Sequence, residues 1–176
     1  FRSHFSGLIE TQTFFNSLVQ NTLDEHFSPT LHDDLRQACG LDTSQDYTKR
    51  SSRDAEFRGK VLDAYEHKCA ICNYKVMYRD KLIGVEAAHI QWHNSQGPDE
   101  VENGIALCAI HHKLLDYGAI GFSDDYRVLA ATGLHGNQLE DWIFKYDNKQ
   151  IFLPRSAVHE PGAEYLKWQR REVFKG

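Results

Sequence analysis

The sequence has no apolar run long enough to cross a bilayer, so no membrane-spanning helix is expected. It has no long charge block, no internal repeat and no low-complexity stretch, which argues against a disordered tail or a repeat array. Positive charge is not in excess: 20 Lys and Arg face 25 Asp and Glu, for a net charge of −5. A protein that grips nucleic acid by bulk charge is usually basic, so that class is disfavoured. The acidic balance still leaves phosphate chemistry open, because a bound cation supplies positive charge locally. Cysteine is sparse, at 4 residues, and no secretory leader is present, so a disulfide framework is not expected. The opening Phe1-Arg2-Ser3-His4 has neither Met nor leader. That predicts a piece of a longer or processed protein. Separately, a cytoplasmic location is expected.

What is present suits a globular chain. The 176 residues allow one ordinary domain plus an extra segment, and 41% apolar residues with 10 Phe allow a real core. Helices are expected at 5–20, 31–39 and 54–66, the last with Phe57, Val61, Leu62 and Tyr65 on one face and Ser52 as its cap. Cys39 is expected as a buried thiol at the end of the second helix. The polar stretch 42–52 reads as a linker, dividing a helical segment, 1–50, from a main domain, 51–176. Short strands are expected at 75–78, 85–90, 119–122 and 127–130, and further helices at 109–116, 138–146 and 163–173. The sum is an α+β chain.

Two spaced pairs of soft ligands stand out. Cys69-x-x-Cys72 supplies two thiolates on a tight turn, and Cys108-x-x-His111 supplies a second pair. Such pairs close a tetrahedron around Zn²⁺, and metal binding then becomes folding energy. The plain alternative is four buried residues with no metal. His112 is an alternative fourth ligand, but i,i+3 spacing from Cys108 favours His111 and turns His112 elsewhere.

A second constellation combines Glu86, His89, Asn103, His112 and Asp116. Phosphodiester hydrolysis needs a base for water and a cation for the phosphorus and leaving oxygen. Histidine serves as that base near neutral pH. Asn103 either orients the His89 imidazole or shapes the loop between them. Each residue also has a plain alternative: Glu86 pairing with Arg79 or Lys81, Asp116 as punctuation before Gly118, Asn103-Gly104 as a simple turn. His93 is either a phosphate contact or a loop histidine. Near the C-terminus, Lys167, Arg170, Arg171 and Lys175 interleave with Tyr165, Trp168 and Phe174. They suit either a backbone grip or an amphipathic helix docking its aromatics.

The run Cys69-x2-Cys72, Ala87-Ala88-His89-Ile90, Asn103-Gly104-Ile105-Ala106-Leu107-Cys108-x2-His111-His112-Lys113 and Asp116 resembles the HNH nucleases, the ββα-metal fold, over about residues 53–130. The resemblance implies a zinc-stapled ββα-metal core with flanking helices, acting as a DNA endonuclease. In it His89 is the general base, and Asn103 and His112 are its partners. His111 takes the place of a fourth zinc cysteine. Many members carry a metal-binding Asp or His just before the base, where this chain has Ala88. The catalytic Mg²⁺ or Mn²⁺ then needs His112 with Asp116 or Glu86. Asp116 is favoured because its reach needs no distortion of the strand. Lys113, His93, Arg170 and Arg171 are the DNA-contact candidates.

A narrower resemblance rests on Pro29-Thr30-Leu31-His32-Asp33-Asp34-Leu35, Arg53-Asp54, Phe57-Arg58, Glu86-Ala87-Ala88-His89-Ile90, Trp92-His93, Gly97-Pro98-Asp99 and Trp168-x-Arg170-Arg171-Glu172-Val173-Phe174. These are similar to the C-terminal half of type IV-like bacterial restriction enzymes, in which an upstream sulfur-binding domain recognises phosphorothioate DNA. That implies a modification-dependent restriction nuclease whose recognition domain lies upstream. HNH domains often nick one strand, so double-strand cutting would suggest a homodimer. The helices at 5–39 are then either the dimer surface or a spacer. Two rival functions remain at this stage: a zinc-stapled DNA-binding adaptor without catalysis, and an HNH nuclease with a homing or toxin role.

Overall fold

The computed structural model describes residues 2–41 and 52–176. Residues 42–51 of the expected linker lie outside the described residues, as does the side chain of Ser52, the expected cap of the next helix. The backbone falls into two compact units, Phe1–Lys49 and Arg50–Gly176. No helix of the described residues is long and apolar enough to cross a membrane.

The first unit holds α1 (Arg2–His26) and α2 (His32–Ala38). Leu23, Leu31, Ser28 and Arg36 are buried there, and Arg36 donates to Gln20 Oε1 at 2.5 Å. The expectation for Cys39 is corrected, because the thiol is exposed. The helix stops at Ala38, and Cys39 occupies its C-cap (φ −88°, ψ 2°), beyond the last turn whose buried face it was expected to share.

The second unit is built on a β-ribbon with a helix on each side. α3 (Ser52–Ala64) presents Phe57, Val61 and Leu62 to the core, and Tyr65 follows them, each nearly or fully buried. The i, i+4, i+8 spacing puts Phe57, Val61 and Tyr65 on one stripe. Glu66 and His67, both at positive φ, end the helix. An exposed hairpin follows, β1 (Val76–Tyr78) and β2 (Lys81–Ile83). The central ribbon pairs β3 (Val85–His89) antiparallel with β4 (Gly104–Cys108), in a register that sets Val85 against Cys108 and His89 against Gly104. All of β4 is buried, and α4 (Ala109–Asp116) leaves directly from its end.

Gly104 lets α3 approach the ribbon. A Cβ there would stand 2.3 Å from Val61 Cγ2 and 3.1 Å from the Phe57 ring. Beyond α4 come the hairpin β5 (Ile120–Phe122) with β6 (Val128–Ala130), then α5 (Leu139–Trp142) and α6 (Ala163–Glu172). The helix expected at 138–146 is corrected: it is one turn of α-helix and one of 3-10 helix, Phe144–Tyr146, broken at Ile143 (φ −131°, ψ −66°). Buried Ile143, with no regular helical backbone, anchors the break. The C-terminal helix docks on β5, where Gln169 donates to the Ile120 carbonyl at 3.0 Å.

Candidate metal centre and active site

The knuckle between α3 and β1 brings Cys69 and Cys72 beside the start of α4. Asn73 takes a left-handed turn (φ 59°), and Ala70 N–H donates to the Ala106 carbonyl at 2.8 Å, tying the knuckle to β4. Cys69 Sγ and Cys108 Sγ lie 3.4 and 3.1 Å from His111 Nδ1, and Cys72 Sγ lies 3.9 Å from Cys108 Sγ. All four ligand atoms fall within 4.8 Å of one another. A tetrahedron with bonds of about 2.0–2.3 Å has edges of roughly 3.5 Å, so the set fits a zinc-sized ion. His111 is 1% exposed, and its Nε2–H donates to the Trp142 carbonyl at 2.9 Å. That bond leaves Nδ1 as the nitrogen that faces the sulfurs.

The charges within the cluster agree. Hydrogen bonds from the Cys108 and Cys72 thiols pull the Cys69 thiol well below its ordinary range. Burial alone would lower His111, but the sulfurs of Cys108 and Cys69 outweigh it and push it up to about 10. An imidazolium beside a thiolate is the arrangement that a divalent cation replaces, with release of protons.

A second cluster joins β3 to α4. Glu86 Oε2 lies 2.7 Å from His112 Nδ1, and Asp116 Oδ2 lies 3.4 Å from His112 Nε2. Side-chain exposure is 12% for His112 and 1% for Asp116, against 46% for Glu86. Burial would depress the His112 pKa, yet the Glu86 hydrogen bond and the charges of Asp116 and Glu86 raise it. Glu86 therefore bonds His112 across from β3 to α4. Ala88, where a metal ligand was sought, is fully buried and carries no donor atom.

His89 ends β3, three positions from Glu86, so the two side chains leave opposite faces of the ribbon. Its ring stacks on Phe57 with centroids 4.0 Å apart, and its Nε2 lies 2.9 Å from Asp99 Oδ1. The exposed His93 meets the same ring edge-on at 6.0 Å. Asn103 is fully buried, and its side chain goes to the loop: it accepts from Gln91 N–H at 2.8 Å and donates to the Gln91 and Pro98 carbonyls at 3.0 Å each. Of the two sequence-based roles for Asn103, this geometry is that of loop shaping.

The remaining candidates are scattered. Lys113 is exposed on α4, 6.0 Å from the Tyr117 ring. Arg171 is exposed and bonds its neighbour Glu172. Arg170 is tied inward, to the Phe122 carbonyl and Asp124, so its guanidinium already serves the fold. Sequence reasoning missed Asp99, the Phe57 ring and the Trp142 carbonyl. Gly97-Pro98-Asp99 enters the restriction-enzyme resemblance as a motif, but no spacing rule links it to His89.

Residues 69–123 match the HNH_2 family, described as HNH endonuclease. That segment is similar to an HNH endonuclease domain and spans about a third of the chain. The structure described as "Modification dependent TagI restriction endonuclease" matches with a TM-score of 0.50 and 21% identity, over 78% of this chain and 42% of that one. At that identity the likeness concerns the fold, and the chain spans under half of that protein's length. No curated protein is a significant match. The HNH segment includes both clusters but not α3, whose Phe57 backs His89.

Proposed function

We propose that this chain is the nuclease part of a modification-dependent restriction enzyme that hydrolyses DNA phosphodiester bonds. The observation that carries the reading is the Glu86–His112–Asp116 cluster, set across the ribbon from a histidine at the strand end. Cys69, Cys72, Cys108 and His111 hold Zn²⁺ as a fold staple. His112 Nε2 and Asp116 hold Mg²⁺ or Mn²⁺; their separation of 3.4 Å is near the roughly 3 Å between adjacent ligands on such an ion. Glu86 then accepts from His112 Nδ1–H and fixes the ring, as carboxylates commonly do for ligating histidines. When bound, the ion stabilises negative charge on the phosphate and leaving oxygen. His89 takes the proton from the attacking water. Asn103 fixes the loop facing His89. Lys113, His93 and Arg171 contact the DNA backbone, with Arg170 bracing α6, and such contacts position the duplex without reading its sequence.

Target choice is proposed to rest with an upstream domain that recognises phosphorothioate DNA. The segment 1–50, whose described part carries α1 and α2, is proposed to serve as spacer or as the contact between two copies. The test compares phosphorothioated with plain DNA, using the full-length protein with Mg²⁺, Mn²⁺ or EDTA. Metal-dependent cleavage of modified DNA alone supports the whole reading. Metal-dependent cleavage of both substrates removes the specificity and keeps the nuclease. Binding without cleavage in any arm would leave a zinc-stapled adaptor.

A further inference from the structure

His89 is held from three sides, and only part of that hold lies in the HNH segment. Phe57 of α3, 2% exposed, covers one ring face, and His93 meets the ring edge-on. Asp99 faces Nε2 at 2.9 Å, with side-chain exposures of 20% for His89 and 29% for Asp99. A carboxylate at Nε2 favours the tautomer with its proton there, which makes Nδ1 the nitrogen that can accept a proton.

The loop carrying Asp99 has little freedom. It is closed by Gly97 N–H donating to the Trp92 carbonyl and by Gln91 Nε2 donating to Ser95 O. Asn103 then grips it at both ends, through Gln91 and through Pro98, the residue before Asp99. Gly97 allows this closure. A Cβ there would stand 2.0 Å from the Gln91 carbonyl oxygen and 2.8 Å from Asn103 Nδ2.

We propose that Asp99 is a positioning residue that fixes the tautomer and orientation of His89, and that Asn103 acts on His89 through the loop that presents Asp99. The proposal rests on the reading of His89 as the base. The chain order is then Asn103 to Pro98, Asp99 to His89, and His89 to water. Among the described contacts, Asp99 and His93 on the loop and the uncharged Phe57 on α3 face His89.

The test uses the chain with zinc bound. It reads the His89 tautomer by ¹⁵N NMR, and cleavage of supercoiled plasmid with Mn²⁺ for kcat and KM. Wild type is expected as the Nε2–H tautomer. Asp99→Ala is expected to mix the tautomers and lower kcat about 10–100-fold with KM nearly unchanged, the scale on which orienting carboxylates act. Asp99→Glu should recover part of kcat. Gly97→Ala, which keeps the Asp99 carboxylate but disturbs the loop that presents it, should mix the tautomers as well. Zinc content and circular dichroism verify folding of each variant. An Asp99→Ala protein with wild-type tautomer and kcat overturns the proposal, provided His89→Ala is inactive. If His89→Ala cuts at the wild-type rate, the base assignment fails instead, and the NMR comparison still decides whether Asp99 sets the tautomer.

Discussion

His111 and His112 are chain neighbours whose rings serve different clusters: His111 Nδ1 faces the sulfurs of Cys69 and Cys108, while His112 Nδ1 faces Glu86 on β3. One turn of α4 thus joins the Cys69, Cys72, Cys108 and His111 cluster to the Glu86, His112 and Asp116 cluster. The first cluster sets where the helix begins, and the helix then fixes the direction of His112.

Substitutions at these neighbours should separate cleanly. His111→Ala or Cys108→Ser should lose zinc and cooperative folding. Zinc binding of about 10–16 kcal/mol in small sites rivals the whole stability of a domain, about 5–15 kcal/mol. His112→Ala should keep one zinc per chain and a cooperative transition but lose metal-dependent cleavage. Metal analysis with thermal unfolding checks both; loss of zinc from His112→Ala would contradict the split.

The base should be separable from the fold as well. His89→Ala should lower cleavage by about 10²–10⁴ while zinc content and unfolding stay near wild type, since the ring lies at a strand end and is 20% exposed. Wild-type cleavage by this variant would refute the assignment.

Gly104 tests the packing beneath that site. An added methyl meets Val61 and Phe57 with no slack, so Gly104→Ala should cost about 1–3 kcal/mol by urea unfolding. Because Phe57 also backs His89, cleavage should fall while zinc stoichiometry holds. A stability equal to wild type would show that α3 can retreat freely.

The Cys69, Cys72, Cys108 and His111 cluster was legible because Cys-x-x-Cys and Cys-x-x-His are local patterns with rigid geometric meaning. Glu86 and Asp116 were legible as alternative partners of His112 on a catalytic ion, and the structure sets both beside that histidine. Asp99 was not legible as a partner of His89. Its position depends on a loop closed by a buried Asn and a glycine with no room for a Cβ, and such closure leaves only an ordinary turn signature. Cys39 and Ile143 differ for a related reason. Apolar spacing marks which face of a helix is buried, but it does not fix the residue at which the helix ends.

His112 gives the cluster a pH signature. Its folded pKa is raised above the unfolded value of about 6.5. Its stabilising contribution is therefore full below about pH 6.5 and is lost as pH rises through the folded pKa. Without added divalent ion, the stability gap between wild type and His112→Gln, both with zinc bound, should narrow from mildly acidic to alkaline pH. Parallel pH curves would mean that Glu86 and Asp116 do not favour the imidazolium.

The same proton competes with the catalytic ion, and the two carboxylates should respond differently. Asp116 is a ligand in the proposed site, so Asp116→Asn removes a charge from the ion's first contacts and leaves a buried amide beside His112. Glu86 orients the ring, so Glu86→Gln keeps an acceptor oxygen for Nδ1–H and should cost less, about 10–100-fold in Mn²⁺ affinity. Both variants also lower the His112 pKa, because each removes a negative neighbour. That shift partly offsets the loss at neutral pH, where less proton remains to be displaced. The decisive comparison is Mn²⁺ titration at alkaline pH, where that offset vanishes. Asp116→Asn should then bind more weakly than Glu86→Gln. The reverse order would exchange their roles, making Glu86 the ligand and Asp116 the buried carboxylate that holds the ring.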